Sequence, residues 1–145
     1  MYWRFILLFL FSTTTSASDL KPFTSDGCSV FPDGTLFQES LWSNCCLSHD
    51  LAYWKGGTEI QKSDADLRLK QCVESVGEPE IAKLMLAGVN VGGSPFLKTP
   101  FRWGYGWSYG RGYKPLSKSD KLQAMLQLKA FKLMIDEEIK LLSIE

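Results

Sequence analysis

The chain is short of charge, of histidine and of any long apolar run, and each shortage removes a class of function. Only 22% of its 145 residues are charged, and 16 basic residues balance 16 acidic ones. That evenness excludes an electrostatic grip on a nucleic-acid backbone, so no nucleic-acid partner is expected. No repeat, zinc-ligand spacing or phosphate-cradling glycine loop occurs. The apolar stretch Phe5 to Phe11 is seven residues long, where a permanent membrane helix takes about 20. Six prolines and a 45% apolar, 13% aromatic content argue against a disordered chain and for one packed domain. With a single histidine, any imidazole chemistry falls on His49.

What is present begins with an export pattern. Met1 to Arg4 carry a positive charge, Phe5 to Phe11 form the apolar stretch, and Ser12 to Ser18 are small and polar around Ala17. This reads as a signal peptide over residues 1–17, followed by a single domain over 18–145. Its removal takes away Arg4 and no acid, leaving 15 basic against 16 acidic residues, a balance of about −1. The expected location is secreted or periplasmic, where the four cysteines can all pair. A bridge between the neighbours Cys45 and Cys46 is disfavoured because adjacent helical side chains diverge. Each therefore reaches to one of Cys28 and Cys72.

Chemistry concentrates in Cys45-Cys46-Leu47-Ser48-His49-Asp50-Leu51-Ala52-Tyr53. Apolar spacing and the absence of Gly or Pro predict a helix from about Gln38 to Trp54, closed by Gly56-Gly57. On it His49 and Tyr53 are i and i+4 on one face, while Asp50 points about 100° away. A cation held by Asp50 would then sit beside an imidazole base without being ligated by it, which suits metal-assisted hydrolysis. A second helix is expected with Ser63 as N-cap, Asp64 and Asp66 in its electropositive first turn, and an end before Gly77. If the two helices run antiparallel and are bridged from Cys45 or Cys46 to Cys72, Asp66 lies level with residue 51 or 52. A carboxylate there can accept hydrogen bonds from both His49 and Tyr53. The alternative role for Asp66 is to favour its helix N-terminus, and Asp64 is expected to face solvent.

The pattern C-C-x-x-H-D-x-x-Y, with an aspartate six residues before a cysteine as in Asp66 to Cys72, resembles the secreted phospholipase A2 superfamily over residues 27 to 73. The resemblance implies disulfides Cys28–Cys46 and Cys45–Cys72. It implies calcium-dependent hydrolysis of a glycerophospholipid ester at a phospholipid membrane surface, with His49 activating water and Asp66 and Tyr53 supporting the imidazole. Calcium would be held by Asp50 and the carbonyls of Gly27, Ser29 and Phe31, with the Ser29 N–H at the oxyanion position. The loop reads Cys28-Ser29-Val30-Phe31-Pro32-Asp33-Gly34 rather than glycine-rich, so its carbonyls can shift by a residue and Asp33 can contribute. Twelve residues between Tyr53 and Asp66 leave no room for a hairpin insertion, as in short, divergent members. The competing class is a secreted binding or toxin-like module that keeps the clamped helices without catalysis.

Beyond Gly77 a third helix is expected over Glu80 to Val89. In Phe101-Arg102-Trp103-Gly104-Tyr105-Gly106-Trp107-Ser108-Tyr109 an aromatic occupies every second position, the period of a strand. Its rings either close the core or form an interfacial patch in which Arg102, Arg111 and Lys114 meet phosphates. An amphipathic helix from Asp120 to Leu142, capped by Ser119, is expected to lie against the core rather than bind a membrane or partner. The fold class is thus mainly α: a disulfide-linked antiparallel helix pair of phospholipase A2 type, further helices, and an aromatic, glycine-rich extended segment.

Overall fold

The computed structural model describes residues 19–143; the signal-peptide reading of residues 1–17 lies outside them. The described chain is mainly helical, with α1 Ser43–Lys55, α2 Glu59–Ser75, α3 Pro79–Gly92 and α4 Lys118–Leu142. No helix among the described residues is long and apolar enough to cross a membrane. Disulfides join Cys28 to Cys46 and Cys45 to Cys72, and they place the domain in an oxidising environment. Because Cys45 faces Cys72 while His49 faces Asp66, α1 and α2 run antiparallel. Trp42, Cys45, Cys46, Leu69, Val73, Ala82 and Met85 form the core where α1, α2 and α3 meet.

Helix boundaries depart from the sequence reading where capping chemistry decides them. α1 starts at Ser43 rather than near Gln38, because residues 35–42 fold into tight turns that return the Trp42 amide to the Asp33 carbonyl at 3.0 Å. α2 starts at Glu59. Thr58 and Gln61 form a capping box in which each side chain accepts from the other's amide, so Ser63 is an interior residue. Asp66 therefore lies two turns into the helix and not in its electropositive first turn. The same motif fixes α4, where Ser117 and Asp120 are the reciprocal pair and Ser119 is not the cap. α3 begins at Pro79, whose missing N–H costs a first turn nothing.

The aromatic segment is not a strand, and among the described residues there is none. It turns instead, with Gly104 at φ 73°. Its amides go to the carbonyls that α1 leaves unsatisfied at its C-terminal end. Gly104 donates to Tyr53 at 2.6 Å and Gly106 to Trp54 at 3.1 Å. The indoles of Trp107 and Trp103 donate to the Lys55 and Gly57 carbonyls at 2.8 and 2.9 Å. A Cβ on Gly106 would collide with the Trp54 side chain and carbonyl, so this glycine serves close backbone approach, while Gly104 serves the left-handed turn. Trp103 and Trp107 are 2% and 3% exposed, whereas Tyr109 is exposed; the two indoles close a core and are not part of an interfacial patch. Arg102 donates to the Trp107 carbonyl, and Arg111 pairs with Asp120 over the Trp107 ring, so neither is presented to phosphates.

α4 also differs from expectation. Ala124 is its buried residue, Gln127 reaches the Leu20 carbonyl, and Phe131 meets Phe23 edge to face. Beyond this the described helix is exposed on every side, including Ile135, Ile139 and Leu142. Only its first half lies against the core.

Candidate active site

α1 places His49, Asp50 and Tyr53 within a turn of one another, and α2 brings Asp66 against the first and last of them. Asp66 Oδ1 lies 2.9 Å from His49 Nε2 and accepts the Tyr53 hydroxyl at 2.7 Å. The His49 and Tyr53 rings lie against each other at a tilt of 38°, with centroids 4.1 Å apart. A carboxylate facing Nε2 fixes the proton there and leaves the lone pair on Nδ1. Among the described residues no group is hydrogen-bonded to Nδ1.

Asp66 is 1% exposed, and its second oxygen takes Lys62 Nζ at 2.7 Å. Burial alone would push its carboxyl up, but hydrogen bonds from His49, Lys62 and Tyr53 outweigh it and hold the group below the ordinary carboxylate range. Burial and the adjoining Asp66 charge push the Tyr53 phenol well up, so it stays a donor. Lys62 was not singled out in the sequence reading. Its signal was there, since an acid and a lysine four apart on a helix are neighbours.

Asp50 has the opposite environment. It is buried, and its side-chain partner is the hydroxyl of Ser25 at 2.6 Å. Burial pushes its carboxyl up to about 6, offset in part by Ser25 and His49 and reinforced by Asp26 and Asp33. A buried carboxylate beside other acids and bonded to a neutral hydroxyl has the electrostatics of a cation ligand. Ser25, too, was missed by the sequence reading; nothing in its spacing marks it.

The loop over residues 20 to 34 comes up to Asp50 through Ser25. Gly27 and Ser29 both lie in the left-handed region, at φ 76° and 58°, and a Cβ on Gly27 would run into the Asp33 carboxylate. In this loop the Cys28 carbonyl accepts from Phe31 at 3.2 Å and the Pro32 carbonyl from the Trp42 indole at 2.6 Å. Among the described residues no donor engages the carbonyls of Gly27, Ser29 or Phe31. Gly27, Ser29 and Phe31 line the same cavity as Asp50, so their carbonyls and its carboxylate are donors of the chemistry that a hard, oxygen-preferring cation takes. Asp33 Oδ1 accepts the Cys28 amide at 2.8 Å, which ties it to the loop backbone. Asp33 also lies close to the sulfurs of Cys28 and Cys46. Those sulfurs are bonded to each other and offer a metal no thiolate.

Both groups open on one cavity of about 310 Å³, lined by Gly27, Ser29 and Phe31 from the loop and by His49, Asp50 and Tyr53 from α1. Its remaining wall is apolar, from Leu69, Met85, Val89 and Phe101, with Gly88 and Gly92 of α3 leaving room. Val30 and Leu84 line it and are exposed at its rim. The arrangement sets an imidazole, a buried carboxylate and an apolar chamber side by side. No protein-family model, curated protein or solved structure matches the chain.

Proposed function

We propose that this protein is an exported, calcium-dependent phospholipase A2-type hydrolase acting on glycerophospholipid esters at a membrane surface. The observation that carries the reading is the meeting of His49, Asp50 and an apolar chamber in one cavity, with Asp66 set behind the imidazole. An apolar chamber of this size suits an acyl chain. The exposed apolar rim suits a substrate drawn from a lipid layer.

In this reading a water molecule at the mouth of the chamber gives its proton to His49 Nδ1 as its oxygen attacks the ester carbonyl. Asp66 stabilises the imidazolium through Nε2–H without itself taking the proton. Tyr53 holds Asp66 in place by donating to the same oxygen. His49 then returns the proton to the leaving alkoxide. Calcium, held by Asp50 and the carbonyls of Gly27, Ser29 and Phe31, would supply positive charge to the developing oxyanion. The Ser29 N–H is the backbone donor assigned to the same oxygen. Two disulfides support export of the domain.

The test is fatty-acid release from mixed phospholipid vesicles with calcium, compared between the parent and His49→Ala. The parent is expected to release fatty acid and the variant to lose at least about 100-fold. Equal rates would remove His49 as the base, and an inactive parent would favour a non-catalytic binding module.

A further inference from the structure

Asp66 is held from two sides, and the second side is a buried cation. Lys62 is 5% exposed, and its ammonium lies 2.7 Å from Asp66 Oδ2 and 3.1 Å from the Val89 carbonyl near the C-terminal end of α3. It also sits 5.5 Å from the centre of the Tyr53 ring. Every partner it touches therefore belongs to the group behind His49 or to the wall of the cavity. Burying a lysine this fully is costly unless a counter-charge and further acceptors satisfy it. Here the carboxylate, a carbonyl at the negative pole of a helix and a π face do so.

We propose that Lys62 is a positioning residue for the imidazole: by fixing Oδ2 of Asp66, it aims Oδ1 at His49 Nε2 and selects the tautomer whose lone pair is on Nδ1. The assignment of a reaction to that nitrogen rests on the hydrolase reading above, whereas the tautomer selection does not. Without the cation Oδ2 loses its tether and the carboxylate can turn, so that Oδ1 no longer has to face Nε2. With it, Tyr53 and His49 share an acceptor that is rotationally fixed. A plain structural staple between α2 and α3 would make the same contacts but would leave the tautomer alone.

The chain's single histidine makes the tautomer directly readable by ¹⁵N NMR of the full-length disulfide-bonded protein with calcium at one fixed pH near 8. Lys62→Met keeps the length of the side chain and removes the charge; Lys62→Arg keeps the charge. The parent and Lys62→Arg are expected to show the Nε2–H form, and Lys62→Met a mixture. On phospholipid vesicles Lys62→Met is expected to lose about 10- to 100-fold in kcat with KM within about twofold, the range for partners that orient a reacting group, and Lys62→Arg to recover most of it. An unchanged tautomer in Lys62→Met, or equal kcat loss in both variants, overturns the proposal. Lys62→Gln replaces Lys62→Met if the latter does not fold, and failure of both to fold assigns Lys62 to stability alone. If the parent itself releases no fatty acid, the hydrolase reading falls and the NMR comparison still decides the role of Lys62.

Discussion

His49 Nε2 and Asp66 Oδ1 meet at 2.9 Å across the seam between α1 and α2, one turn along α1 from the bridge of Cys45 to Cys72. The disulfide sets the register of the two helices, and the register puts the carboxylate behind the imidazole.

Replacing Asp66 with Asn tests that relationship twice. An amide accepts from Nε2–H more weakly and carries no charge to offset the imidazolium, so vesicle hydrolysis should fall by roughly 100-fold or more. At pH 7 the variant should also lose about 3–5 kcal/mol, because Lys62 is left buried without its counter-ion. The acid response follows from the depressed carboxyl of Asp66. Its stabilising contribution is fully present above the ordinary carboxylate pKa near 4 and is lost as pH falls through the lower folded value. Thermal unfolding from pH 7 to 2 should therefore show a steeper decline below pH 4 in the parent than in Asp66→Asn. Parallel curves would mean that Asp66 is not held ionised by its neighbours.

Asp50 gives the reverse signature. Its carboxylate is buried on a hydroxyl rather than a cation, so in chelator-treated protein Asp50→Asn should raise stability by about 1 kcal/mol, after allowing for solvent screening. Added calcium should then stabilise the parent by about 2.7 kcal/mol at a hundredfold excess over Kd, and leave the variant unchanged. The comparison is best made near pH 8, above the value of about 6 to which the carboxyl is pushed. A calcium response of equal size in Asp50→Asn would place the ion elsewhere.

The helical class, the disulfide-clamped pair and the meeting of His49, Tyr53 and Asp66 were legible because each depends on short-range spacing along α1 or on a single crosslink. The starts of α1 and α2 and the cap of α4 were not, although Thr58 and Gln61 carried the capping signal in plain view. Alternation in residues 101–109 misled for a physical reason. Glycines between aromatics have the period of a strand, yet here that period serves turns whose backbone docks against the end of α1. Lys62 could have been reached by pairing it with Asp66 at i and i+4. Ser25 could not, since its contact with Asp50 spans a separation in sequence that only the folded loop closes.

The bore of the cavity should be adjustable from α3. Gly88 lines it, and a Cβ added there meets no atom within 4 Å. Gly88→Ala should therefore raise the thermal midpoint, by about 0.5–1 kcal/mol of stability, through helix propensity alone. Gly88→Leu should project a side chain into the chamber and depress hydrolysis of long acyl chains more than short ones. Loss of activity without any change in chain-length preference would show that the acyl group does not occupy this space.

The aromatic segment should behave as a helix cap made of rings, and Trp107 is where this can be measured. Its indole packs with Leu20, Trp54 and Ala124, and its N–H closes the Lys55 carbonyl at the end of α1. Trp107→Ala should cost about 3–5 kcal/mol through the cavity it opens, with the orphaned carbonyl adding to the loss. Trp107→Phe, which keeps most of the apolar volume and lacks the donor, isolates the hydrogen bond and should cost about 1–3 kcal/mol. If the ring instead served a lipid surface, Trp107→Ala would weaken vesicle binding at nearly unchanged stability. Chemical denaturation read by far-ultraviolet circular dichroism, alongside vesicle sedimentation, separates the two. The 3% exposure of Trp107 leaves so little ring surface for lipid that the stability loss is the expected result.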